Sequence, residues 1–198
     1  MSNNFADFLL LPFVELEIRF GTISNNFDSS VDKKYFSKLL ESLNNCEIPW
    51  KTIESKDTIE YINDNKKLIN DKTLMMKENV LKKNFSVNNS PFDIRLSINQ
   101  EFSLNSYISS FSKNDSLIRK KQRTSFISDN YRYDLTIVNE TKNNINVEKH
   151  EIEIELIVNK ETLTWTNEYI NDFIECKIYD IINIVEKTPR ESFKLKFF

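Results

Sequence analysis

Residues 14–18 read Val14-Glu15-Leu16-Glu17-Ile18, and residues 150–156 read His150-Glu151-Ile152-Glu153-Ile154-Glu155-Leu156. Side chains on a strand alternate between its two faces, so Glu15 and Glu17 share one face while Val14, Leu16 and Ile18 share the other. The later stretch lines up Glu151, Glu153 and Glu155 in the same way. Between them, Ile118-Arg119-Lys120-Lys121-Gln122-Arg123 repeats the alternation with opposite sign and aligns Arg119, Lys121 and Arg123. Arg95, Ser97, Asn99 and Glu101 form another polar face against Ile94, Leu96 and Ile98, and Asp134 and Thr136 follow on the strand after the basic one. One such strand reads as the solvated side of an amphipathic sheet. Ordinary exposed faces, however, intersperse signs, and like charges side by side cost roughly a few tenths of a kcal/mol per pair. A glutamate cluster calls for a cation, and an arginine–lysine cluster for an anion. An enclosed polar lumen holding metal and phosphate, with apolar faces turned outward against helices, answers both.

The rest of the chain supports a β architecture. Period-two alternation predicts strands over 12–20, 58–62, 67–69, 73–77, 84–87, 92–102, 118–127, 131–138, 148–158 and 192–197, separated by Asn-, Asp- and Ser-rich turns, including one over 139–146. Two segments have helical period instead. The first, 30–43, has Ser29 and Asp32 as a capping-box-like start; the second, 167–186, is ended by Pro189. Many antiparallel strands and few helices predict a closed barrel or a sandwich. With no internal repeat, low-complexity tail or linker, one domain spanning 1–198 is expected.

Composition narrows the chemistry. The net charge of -3 leaves no global electrostatic footprint for nucleic acid, so any basic site is local. The single glycine, Gly21, excludes a P-loop or a GxGxxG turn, and phosphate must be bound by side chains. Cys46 and Cys176 lack ligand spacing and read as thiols in a reducing, intracellular compartment. The apolar stretch 8–14 is short and interrupted by Pro12, which argues against a signal peptide or membrane span. His150 alternates with Glu151 and is expected to pack on the outer, apolar side. Carboxylates are the ligands Mg²⁺ and Mn²⁺ prefer, and Arg and Lys neutralise the charge that develops on a transferring phosphoryl group.

The ordered set of an ExE strand, an RxKxR strand, a DxT strand and an ExExE strand resembles the triphosphate tunnel metalloenzymes. Within these it resembles the metal-dependent RNA 5′-triphosphatases of fungal, protozoan and large DNA-virus mRNA capping systems. The resemblance spans about Glu15 to Glu155. It implies a mainly β (α+β) fold, a closed antiparallel eight-stranded barrel forming a polar tunnel with helices packed outside. Glu15, Glu17 and Glu155 would ligate Mg²⁺ or Mn²⁺, while Glu153 and Asp134 would hold metal-bound water. Arg95, Lys121 and Arg123 would contact the γ-phosphate, with Arg119 on the same face and Glu151 supporting the basic ladder. Glu101 is the candidate for orienting the attacking water. The reaction implied is removal of the γ-phosphate from triphosphate-ended RNA, with nucleoside triphosphates as further substrates. A KxDG motif for guanylyl transfer is absent, so guanylyltransferase and methyltransferase modules are expected in cis or trans. The chain would then be the N-terminal part of a larger capping enzyme or a separate subunit, in the host cytoplasm or virion if viral. Two other readings stay open: a tunnel hydrolase of tripolyphosphate or nucleotides, where ExExK is usual and this chain has Arg19, and a non-catalytic phosphate-binding barrel.

Overall fold

A computed structural model of the chain describes residues 4–47, 49–88, 90–114 and 116–187. In chain order the elements are α1 (Phe5–Leu9), β1 (Val14–Ile23), β2 (Phe27–Asp28), α2 (Lys33–Asn44), β3 (Thr52–Asn63), β4 (Lys66–Ile69), β5 (Thr73–Phe85), β6 (Asp93–Ser103), β7 (Leu117–Ile127), β8 (Tyr131–Lys142), β9 (Ile145–Leu156) and α3 (Asn167–Glu186). The strands run in the order β1-β6-β5-β4-β3-β7-β8-β9, and β9 pairs back onto β1. Every pairing is antiparallel, and the closing register sets Glu17 opposite Glu155 and Arg19 opposite Glu153. This is the closed eight-stranded barrel expected, with β2 added as a short ninth strand against the end of β1.

The barrel is apolar outside and polar inside. Leu16, Ile18, Phe20, Ile94, Leu96, Ile98, Leu135, Ile152 and Ile154 form the hydrophobic core together with helical residues. That core lies between the outer barrel wall and the helices. Ile170, Ile174, Ile178, Ile181, Ile182 and Val185 of α3 and Phe36, Leu39 and Leu43 of α2 are buried in it. Fully burying one such aliphatic side chain contributes about 1.5–3 kcal/mol, so the helices hold the barrel's shape while the lumen keeps its charges. The backbone N–H of Val31 donates to the His150 carbonyl at 2.9 Å, tying the entry to α2 onto β9. His150 is buried on this side with its ring edge-on to Phe36, in agreement with the packing role predicted for it. Trp50 packs against Phe126, Tyr131 and Tyr133 on the same outer side. No described helix is long and apolar enough to cross a membrane.

The departures from the predicted elements have local causes. β3 begins at Thr52 rather than near residue 58, because residues 52–57 are exposed on both faces and, Ile53 apart, polar, and are recruited by pairing with β7. The separate strands predicted at 73–77 and 84–87 are one strand, β5, with a bulge between Asn79 and Leu81. An extra residue resets the alternation, so the sequence there loses its period without losing its ladder. The predicted 139–146 turn contracts to Asn143-Asn144, both at positive φ. Asn and Asp also hold positive φ at Asp64, Asn70 and Asp71, the role glycine usually takes in tight hairpins. Asp32 caps α2 by accepting from the Lys34 N–H at 2.8 Å, whereas Ser29 donates its hydroxyl to Glu151. Helix α3 runs over the predicted 167–186 with Thr166 as its cap. Pro189 and the predicted strand 192–197 lie outside the described residues.

Candidate functional site

Two cavities of about 310 and 180 Å³ run through the barrel. Both are lined by Glu17, Arg19, Glu60, Lys67, Lys77 and Lys121, so they are two ends of one tunnel meeting at this ring. The larger, wide end adds Lys66, Lys82, Arg95 and Arg119. The smaller, narrow end adds Glu15, Lys56, Glu101, Arg123, Arg132 and Glu153. Alternation along each strand places these side chains, and the β5 bulge brings Lys82 to the lumen together with Lys77 and Asn79.

The lumen-facing cations of β7 do not form a free ladder; Arg119, Lys121 and Arg123 are each met by acids from neighbouring strands. Arg123 donates to Asp134 at 2.9 Å and to Glu153 at 3.3 Å. Arg119 donates to Glu151 at 2.6 Å, and Lys121 lies 3.1 Å from Glu60. Asp134 is 1% exposed and also accepts from Ser125 at 2.6 Å, with Arg132 3.1 Å away. Arg19 sits 3.0 Å from Glu153, and Lys77 bridges Glu15 and Glu17. Burial would raise the Glu153 carboxyl, but Arg19, Arg123, Lys121 and Lys77 outweigh it and hold the group well below the usual carboxylate range. Lys121 is lowered, because burial among Arg119 and Arg123 prevails over Glu60 and Glu153. The Nε atoms of Arg19, Arg119 and Arg132 are buried and lie 3.0, 3.0 and 3.1 Å from carboxylate oxygens of Glu153, Glu140 and Asp134, as ion pairs without aligned hydrogen bonds. A lumen of this kind is suited to a ligand rich in anionic oxygens.

Glu155 behaves in the opposite way to Glu153. Burial and the facing Glu15, with which it shares a hydrogen bond, push its carboxyl up to about 8, against the pull of Arg132. A buried carboxyl pushed up by a neighbouring acid marks a place where a cation would be stabilised. The donor set of Glu15 and Glu155, with Glu17 opposite Glu155 in register, therefore fits a hard divalent ion. Among the described residues, no three His, Cys, Asp or Glu side chains already converge as a coordination sphere. Glu17 instead contacts Lys77, Arg19 and Asn99.

The structure thus gathers Glu15, Glu17, Glu101, Lys121, Arg123, Asp134, Glu153 and Glu155 around the ring and the narrow end, while Arg119 and Arg95 line the wide end. Arg95 and Arg123 line opposite ends, which separates two side chains assigned above to one phosphate. Glu101 is held by Lys67 at 2.8 Å, with Lys77 3.7 Å away. Sequence reading did not single out Lys77, Glu60 or Arg132, weighed Lys66-Lys67, Lys82-Lys83 and Lys120 only as charges that could draw RNA to a tunnel mouth or be plainly solvated, and noted Arg19 only as a departure from ExExK. Arg19 and Arg132 were within reach, since they continue the inward parity of Glu17 and Asp134. Lys77, Lys67 and Glu60 stand on strands with no run of like charge to mark the inner face.

Comparison with known proteins adds three findings. The family model described as mRNA capping enzyme, beta chain, matches residues 31–178. No curated protein sequence matches the chain. Among solved structures, the RNA triphosphatase Pct1 of S. pombe aligns with a TM-score of 0.71 at 18% identity, covering 93% of this chain and 90% of that one. Pct1 in complex with the Spt5 CTD aligns at 0.63, with 18% identity and 95% and 88% coverage. The capping enzyme triphosphatase of Mimivirus aligns at 0.62 and 19% identity, covering 91% and 92%. At these identities the structural likeness is one of fold.

Proposed function

The chain belongs to the mRNA capping enzyme, beta chain, family of triphosphatases, and from that premise we propose that its tunnel removes the γ-phosphate from 5′-triphosphate-ended RNA, leaving a diphosphate end and inorganic phosphate. The observation that carries this reading is the adjacency of an acid pair, Glu15 and Glu155, to a ring of half-buried lysines and arginine inside a closed barrel. Mg²⁺ or Mn²⁺ held by Glu15 and Glu155, with Glu17 beside them, would polarise the γ-phosphoryl oxygens.

The residues of the chain do the remaining work. Lys121, which lines both ends of the tunnel, and Arg123 neutralise charge spreading over the γ-phosphoryl oxygens. Asp134 and Glu153 fix the Arg123 guanidinium, so little reorganisation is needed during transfer. Glu101, at the narrow end, accepts a hydrogen bond from the attacking water and takes its proton. Attack in line with the departing β-phosphate oxygen then sends the diphosphate towards the wide end. Guanylyltransferase and methyltransferase modules, in cis or in trans, would complete the cap. The partner seen on Pct1 belongs to that protein, and an equivalent docking segment for this chain is part of the proposal only as a class.

Measuring phosphate release from triphosphate-ended RNA, ATP and tripolyphosphate, with Mg²⁺ or Mn²⁺ and with chelator, tests the reading. Metal-dependent release from RNA that is lost in Glu15→Gln and Glu155→Gln is expected. Preference for tripolyphosphate over RNA would move the chain to the smaller-substrate tunnel hydrolases, and activity indifferent to both substitutions would leave only a phosphate-binding barrel.

A further inference from the structure

We propose that the wide mouth of the tunnel is a subsite for the phosphodiester phosphates of the RNA strand, built on Arg95 and Lys82 with Phe27 as the support of Arg95, so that the RNA threads in from this end. The inference rests on the triphosphatase reading above.

The two ends differ in how their charges are matched. The ring and narrow-end cations Arg19, Lys67, Lys77, Lys121, Arg123 and Arg132 each have a carboxylate within ion-pair distance, and of the cations lining that end only Lys56 has none among the described residues. At the wide end Arg119 is met by Glu140 and Glu151, but Arg95, Lys82 and Lys66 have no carboxylate partner among the described residues. Arg95 moreover sits directly opposite Arg19 in the β1–β6 ladder, and like charges so placed repel. Burial and Arg19 together lower its pKa.

Arg95 is nonetheless held in place. Its Nε–H donates to Asn84 at 2.9 Å, and its guanidinium lies over the Phe27 ring, 4.4 Å from the centroid. Phe27 reaches that position because β2 folds tightly onto β1 at Gly21. A Cβ there would lie 1.9 Å from the Asp28 carbonyl oxygen and 2.8 Å from the Phe27 ring, so no other residue fits. The one glycine of the chain is therefore used to seat an aromatic support under an arginine with no acidic partner. Stacking fixes the plane of a guanidinium without consuming its in-plane donors, and these remain directed to a phosphate. Lys82 joins the same mouth because the β5 bulge turns it inward. At the other end Glu15, Glu101 and Glu153 would repel a phosphodiester chain. The triphosphate end reaches the acid pair, and the strand behind it trails through the unmatched cations.

The test compares kcat and KM on a triphosphate-ended RNA of about ten nucleotides with those on tripolyphosphate, for wild type, Lys82→Ala, Arg95→Gln, Phe27→Leu and Phe27→Tyr, across a salt series. Lys82→Ala and Arg95→Gln should each raise KM for RNA roughly three- to tenfold and flatten the salt dependence by about one phosphate contact. The loss on tripolyphosphate should be smaller. Phe27→Leu should raise KM for RNA with kcat kept, and Phe27→Tyr should restore it. Lys82 is exposed, so its variant reads the mouth without risk to folding. Equal loss on both substrates overturns the subsite while leaving the triphosphatase reading standing. An RNA-selective loss from Lys56→Ala at the narrow end, with none from Lys82→Ala, overturns the direction of threading. A wild-type protein that cleaves tripolyphosphate but not RNA overturns both readings.

Discussion

Glu153 and Glu155 stand two residues apart on the lumen face of β9, yet their surroundings drive them in opposite directions. Around Glu153, Arg19 and Arg123 lie at 3.0 and 3.3 Å, and the carboxyl stays ionised far below the usual range. Around Glu155 the facing group is another acid, Glu15, and the carboxyl is pushed up to about 8. Burial raises both. What separates them is the sign of the neighbour across the β1–β9 seam: Arg19 pairs with Glu153, and Glu17 with Glu155. The difference teaches where an added cation belongs. The Glu153 region is clasped by two arginines, whereas Glu155 is met by Arg132 and Glu15 by Lys77, and a divalent ion would add positive charge between the two acids.

Substitutions can break this contrast. The largest effect is expected from Glu155→Gln or Glu15→Gln, each lowering metal-dependent phosphate release by about 10²–10³-fold, the scale of losing one preorganised electrostatic contact. The same variants should match or exceed wild-type stability in chelator, because an acid–acid repulsion is removed; denaturant titration checks this. Glu153→Gln should do the reverse, destabilising by about 3 kcal/mol by leaving Arg19 and Arg123 without their shared partner. A smaller effect is set by pH. With its folded pKa near 8 and an ordinary value of 4.5, Glu155 keeps a proton in the folded state that the unfolded chain has released between those values. Stability of the metal-free protein should therefore fall as pH rises through that window, by about 1–3 kcal/mol. Mg²⁺ or Mn²⁺ should flatten the slope by taking the place of the proton, which thermal unfolding in chelator and in metal would read. The smallest effect is expected from Ser29→Ala, which removes one hydrogen bond to Glu151 and should cost about 1 kcal/mol.

Much of the site was legible because a strand has a period of two. Any ExE or RxKxR run declares which residues share a face, and a run of one sign declares that the face is not ordinary surface. Glu15, Glu17, Arg119, Lys121, Arg123, Glu153 and Glu155 all follow from that rule; the structure lines the tunnel with the first six and sets Glu155 beside Glu15. Lys77 was hidden, since β5 breaks its alternation at the bulge and carries no like-charged run. Arg95 was read as a partner of Lys121 and Arg123, but it lines the opposite end of the tunnel from Arg123. Its neighbour Phe27 stands on a two-residue strand too short to show any period.

By itself the sequence determined the element types, the inward face of each charged strand and the outward apolar faces that the helices cover, because these depend on periodicity within short windows. Only the tertiary structure decided which charges meet. Strand order, the bulge in β5 and the closure of β9 onto β1 are long-range pairings, and electrostatic energy depends on distances across those pairings rather than along the chain. Identical glutamates on one strand therefore became a clasped anion at Glu153 and, at Glu155, an acid whose carboxyl is pushed up by burial and by Glu15.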